Sequence, residues 1–119
     1  MKKAFCLYRT KDFMETDKIE RDRQKQLCQH FIDENEWLLI GEFWQKEDHV
    51  VDAPSPEDLF PLLCWGAKHK LFDILLVSGF DRIGRFPVEC STAAAFFERS
   101  NVEVWSVDHG HIGGWLQVS

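Results

Sequence analysis

The 119-residue sequence contains no apolar run approaching the roughly 20 residues needed to cross a bilayer, and Met1-Lys2-Lys3 leads into a short strand-like run rather than a signal-peptide core. The expectation is a cytoplasmic protein. It also has no CxxC pair. Its four cysteines, Cys6, Cys28, Cys64 and Cys90, are scattered, and each lies in an apolar stretch. They read as reduced core residues, not as a disulfide frame or metal knuckle. Positive charge is in deficit: fourteen Lys and Arg against twenty Asp and Glu leave a net charge of −6, which argues against strong non-specific binding to nucleic acid. Internal repeats and low-complexity tracts are absent too.

What is present points to one folded domain. Apolar residues make up 45% of the chain, with ten Phe and five Trp, enough to build a core and exclude disorder. The charge is unevenly spread. Residues 1–25 hold eight basic and five acidic side chains, net +3, which leaves six basic and fifteen acidic, net −9, for residues 26–119. A polyanion would favour the N-terminal end.

Helical and extended patterns alternate along the chain. Ala4-Phe5-Cys6-Leu7-Tyr8 is a first strand, ending at Arg9-Thr10-Lys11-Asp12. Residues 17–36 form a helix with Leu27, Cys28, Phe31 and Ile32 on its buried face and a charged, solvated first half. Residues 37–44 read as a continuous apolar strand, followed by a loop over 45–54. A second helix starts at Ser55-Pro56-Glu57-Asp58, with Ser as N-cap and Leu59, Leu62, Leu63 and Ala67 buried. Pro61 should kink that helix or delay its start.

Residues 72–77 make a strand buried on both faces, as parallel strands are, and the polar turn 78–85 leaves its carboxyl end. Pro87 opens a third helix running to Arg99, residues 102–107 form a fourth strand, and the Gly-rich tail 109–119 adds at most one edge strand. The fold class that follows is α/β, three-layered, with a mostly parallel four- to five-stranded sheet and helices on both faces. The division is a domain over 1–108 and a short tail over 109–119.

In such sheets ligands bind beyond the carboxyl ends of the strands, where this chain places Arg9 after the first strand and Asp81, Arg82 and Arg85 after the third. Guanidinium forks match phosphate oxygens in pairs, so an oxyanion site is one reading. A surface salt-bridge network of Asp81 with the arginines is the other.

Asp81-Arg82-Ile83-Gly84-Arg85, following a Phe-Asp-apolar strand, resembles the Asp-Arg-Leu-Gly-Arg signature of the serine recombinases, the resolvases and invertases. Tyr8-Arg9, Gln24 with Leu27, and the strand 102–107 resemble other segments of that family, and the likeness spans residues 3–108. It implies the resolvase-like fold and no cofactor or metal. It also implies a phosphate-binding role for Arg9, Lys11, Arg82 and Arg85, with Asp81 orienting the arginines. In the family a serine two residues beyond the first-strand arginine attacks a DNA phosphodiester and becomes a 5′-phosphoserine ester, while arginines stabilise the developing charge.

Three departures bear on activity. Lys11 stands two residues past Arg9, where that serine belongs, and Thr10 is the only neighbouring hydroxyl. Glu57 falls near a position where the family carries arginine, inverting a local charge. Only eleven residues follow Asp108, which leaves no room for the family's dimerisation helix and DNA-reading region. The expectation is a domain without strand cleavage that binds a DNA backbone weakly or pairs with itself or a recombinase. The alternatives are an active recombinase using Thr10 and a dimerising scaffold. Of the remaining features, Trp37, Trp44 and Trp105 read as core, Trp65 or Trp115 as interface, and His30 and His69 as solvated. The pair His109 and His111 lacks further metal ligands.

Overall fold

The computed structural model describes residues 1–46, 60–83 and 87–112, the side chains of residues 87–89 excepted. Strand β1 (Lys3–Thr10) is followed by helix α1 (Glu15–Glu34), strand β2 (Leu38–Lys46), helix α2 (Pro61–Lys68) and strand β3 (Ile74–Val77). A single 3₁₀ turn (Phe80–Arg82), helix α3 (Pro87–Arg99), strand β4 (Glu103–Ser106) and the two-residue strand β5 (Gly110–His111) complete it. The five strands form one sheet in the order β2-β1-β3-β4-β5. All neighbours are parallel except β4 and β5, so the expected mostly parallel α/β sheet is present, and the tail adds one antiparallel edge strand.

Period-two alternation sorts the strand residues onto two faces. Ala4, Cys6, Tyr8, Ile74 and Leu76 pack with Cys28 and Ile32 of α1. On the other face Leu7, Leu75, Val77 and Val104 pack with Leu63, Cys64 and Ala67 of α2 and Ala93, Ala94 and Phe97 of α3. Strand β3 is buried at every residue. A side-chain hydrogen bond with Cys6, and then burial, push the Cys28 thiol well above its ordinary range, and all four cysteines are buried thiols outside any disulfide.

Two expectations about burial are corrected. The inner row of α1 is Gln24, Cys28 and Ile32, spaced four apart. Leu27, expected inside, is 40% exposed because it lies one residue to the side of that row. In α2, Pro61 occupies the first helical position, where its missing N–H costs nothing. The buried stripe is then Leu63, Cys64 and Ala67, and Leu62 points away from the sheet at 69% exposure. The proposed cap at Ser55 and the contact of Leu59 lie outside the described residues.

Strand β2 is a half-exposed strand at the sheet edge. A register irregularity opposite Ala4 and Phe5 sets Gly41 beside Phe5. A Cβ there would stand 2.4 Å from Phe5 Cε2, so the ring's position requires glycine.

Candidate functional site at the β1 and β3 carboxyl ends

From β1 the chain runs to β2 on one side, then returns across to β3 on the other. The order reverses between β1 and β3, the place where open α/β sheets leave a ligand crevice. The last β1–β3 pair is Cys6 with Leu76, so the end of β1 projects past its neighbour. Two side chains meet the backbone exposed there. Gln24 Oε1 accepts the Arg9 N–H at 3.1 Å, and Gln24 Nε2 donates to the Arg9 carbonyl at 2.8 Å. Arg82 Nη1 adds a longer donation to the same carbonyl at 3.4 Å.

Arg82 therefore reaches the backbone of Arg9. Its Nη2 donates to Glu20 Oε1 at 2.8 Å, a half-buried ion pair. The Arg9 side chain takes the other direction. Sharing the face of Leu7, it is 3% exposed, and its guanidinium carbon lies 5.8 Å from the centre of the Phe60 ring at the start of α2. The two guanidinium groups expected to converge do not share one opening among the described residues, and Arg85 lies outside them. Asp81, expected to orient the arginines, is exposed, with its Oδ1 beside Gly79. Arg82 pairs with Glu20 in its place.

Thr10 is 2% exposed. Its hydroxyl donates to the Asp12 carbonyl at 2.6 Å and accepts from Trp44 Nε1 at 2.8 Å, so both its roles are taken. Lys11 is exposed at the mouth of the β1–α1 connection. Glu20, Gln24, Ser78, Asp81, Arg82 and Asp108 line a cavity of about 300 Å³ beside these strand ends. Three carboxylates there face the guanidinium groups of Arg23 and Arg82.

The sequence reading missed Glu20. It assigned the first half of α1 to solvent, yet Glu20 and Gln24 continue the inner row of Cys28 and Ile32 at four-residue spacing. That spacing was the available signal. In the tail, His111 Nε2 lies 2.9 Å from Glu98 Oε1, and its ring stacks on Trp105 with centres 5.2 Å apart. No set of three His, Cys, Asp or Glu side chains among the described residues is placed to hold a metal.

Solved structures similar to this chain include recombinases and their catalytic domains. A resolvase family site-specific recombinase from Streptococcus pneumoniae superposes with a TM-score of 0.78 at 14% identity, covering 99% of this chain and 83% of that one. The N-terminal catalytic domain of TP901-1 integrase gives 0.73 at 15%, covering 98% and 87%. The C-terminal catalytic domain of ISC1926 TnpA, an IS607-like serine recombinase, gives 0.70 at 14%, covering 88% and 69%. No curated protein matches the chain. The family model "Resolvase, N terminal domain" matches residues 10–114, most of the chain, and the protein therefore belongs to the resolvase family.

Proposed function

We propose that this chain is a serine-recombinase-type domain that does not cleave DNA and acts in the cytoplasm as a weak backbone-binding or regulatory partner of itself or of another recombinase. The observation that carries this reading is the state of Thr10, the hydroxyl next in sequence to the nucleophile's place. Lys11 occupies the position two residues past Arg9, and the Thr10 hydroxyl is buried with its donor and acceptor roles both used. For Thr10 to attack a phosphodiester, its bonds to Asp12 and Trp44 must break and a buried secondary alcohol must reach solvent.

Incubation with plasmid DNA should give no protein–DNA adduct that survives denaturation. An adduct lost in Thr10→Ala would overturn the reading in favour of an active recombinase.

The scaffold reading draws on the Arg82–Glu20 pair, which uses the arginine inside the protein. Arg82→Ala distinguishes the two. On the backbone-binding reading it weakens association with short DNA, with Arg9, Lys11 and Arg85 as the remaining contacts. On the scaffold reading it leaves that association unchanged.

A further inference from the structure

Helix α1 separates two cavities of opposite character. The cavity at the strand ends carries three carboxylates against two guanidinium groups. A second, of about 220 Å³, lies between α1 and β2 and is lined by Tyr8, Arg21, Lys25, Glu42 and Trp44, two cations against one carboxylate. The second shares no residue with the first.

Its floor is the chain's single tyrosine. Tyr8 is 1% exposed, and among the described residues its hydroxyl has no oxygen or nitrogen partner, only the Cys6 thiol as a weak one. A buried hydroxyl in that state is costly, so a group that accepts from it is favoured there. Burial above all, then Cys6 and Glu42, pushes the phenol far above its ordinary range, which keeps it a neutral donor.

The walls are cationic and adjustable. Arg21 and Lys25 stand four residues apart on one face of α1. The Arg21 guanidinium lies 4.5 Å from the centre of the Trp44 ring and is held on its outer side by Asp22 at 2.9 Å. Lys25 Nζ sits 3.4 Å from Glu42 Oε2 in a partly exposed pair of the kind that contributes little, so its ammonium can turn to a better acceptor. A phenol, a guanidinium and an ammonium facing one small space match the several oxygens of a tetrahedral anion better than the two of a carboxylate.

We propose that the α1–β2 cavity binds a phosphate group, with Tyr8 donating from the floor and Arg21 and Lys25 contacting the anion from the wall. Free phosphate and the terminal phosphate of a nucleic-acid strand offer the same chemistry. Glu42 opposes the anion and sets a limit on affinity. The site is independent of the backbone-binding reading, because Arg9, Lys11 and Arg82 take no part in it.

Amide and indole NMR shifts followed while sodium phosphate is added, against sodium chloride at matched ionic strength, test the proposal. Saturable shifts should appear at residues 8, 21, 25 and 44. Tyr8→Phe and Lys25→Met should weaken binding about fivefold or more, and Glu42→Gln should tighten it. Tightening is a result that a structural role for the Lys25–Glu42 pair does not produce. Tyr8→Phe removes only a weakly partnered hydroxyl, so its fold should persist. A 5′-phosphorylated trinucleotide and its unphosphorylated counterpart separate the sources. Tighter binding of the phosphorylated strand than of inorganic phosphate assigns a strand end, and equal or weaker binding assigns the free anion. A response that does not saturate, is unchanged in Tyr8→Phe, or maps to Arg82 overturns the site.

Discussion

Replacing Gln24 by leucine isolates what its amide does at the end of β1. The side chain is 1% exposed and makes two hydrogen bonds to one residue's backbone, accepting from the Arg9 N–H at 3.1 Å and donating to its carbonyl at 2.8 Å. Leucine keeps most of the volume, so cavity formation contributes little. It leaves the Arg9 N–H without its acceptor and the carbonyl with only the 3.4 Å contact from Arg82. A buried unsatisfied backbone group costs about 1–3 kcal/mol, and with the carbonyl partly served the sum is roughly 2–4 kcal/mol. For a domain of this size the melting temperature should fall on the order of 10 °C.

Gln24→Glu separates polarity from charge. Protonated, it reproduces the amide's donor and acceptor pattern. Ionised, it sets a buried carboxylate against the Arg9 carbonyl and near Glu20, so its folded pKa lies above the unfolded value of about 4.3. Stability from a raised acid pKa is present at low pH and lost as pH rises through the folded value. Urea denaturation at pH 5 and pH 7.5 should therefore find the variant closer to wild type at pH 5. A Gln24→Leu loss below about 0.5 kcal/mol, or no pH dependence in Gln24→Glu, refutes the reasoning from backbone satisfaction.

Gly41→Ala places a methyl 2.4 Å from Phe5 Cε2 and should cost about 1–3 kcal/mol in denaturant unfolding. Adding Phe5→Leu should recover part of that, and strict additivity of the two changes would exclude the contact as the cause. The hydrogen bond from Lys2, at 2.7 Å, holds the Glu103 carboxyl below its ordinary range, with smaller help from Trp105 and His111. Stability from a depressed acid pKa is present above the unfolded value and lost as pH falls through the folded one. The unfolding midpoint should therefore decline below about pH 4.5, and less steeply in Lys2→Met. Parallel acid profiles for the two proteins would count against the pair.

Apolar pattern located the strands and helices but not their sides. Residues 72–77 read as a doubly buried strand because every position is apolar, and β3 is buried throughout. Residues 37–44 look much the same, yet β2 lies at the sheet edge, a placement set by chain order that no local run encodes. Leu62 and Leu27 mislead for another reason: in a helix a shift of one residue turns a side chain by a quarter of the circumference, so adjacent leucines cannot both face the sheet. Gln24 stood out through the family likeness and its four-residue spacing from Cys28, since a polar residue buried to satisfy a neighbour's backbone has no compositional mark. The direction of Arg9 was legible. It lies two residues after Leu7 and so shares the α2–α3 face, while Arg82 approaches from the α1 side.

That division of faces turns the side chains of Arg9 and Arg82, among the described residues, in different directions. The β1–β3 pairing stops at Cys6 and Leu76, so on that side the end of β1 has no neighbouring strand, and the protein fills the gap with Gln24 and Arg82. Arg82 is then committed twice, to the Arg9 carbonyl and to Glu20, whose carboxylate also lies 3.5 Å from Arg23. An incoming phosphate must compete with a carboxylate already at 2.8 Å, with Asp81 and Asp108 lining the same opening. Any gain from Arg82 is reduced by the partner it must release. The same residues that complete the fold at the switch point thus lower its charge, whereas across α1 the cavity lining sets Arg21 and Lys25 against Glu42, with Asp22 holding Arg21 from beyond that lining. On this physical reading, the flank of the helix away from the resolvase-like strand ends is the stronger place for an anion to settle.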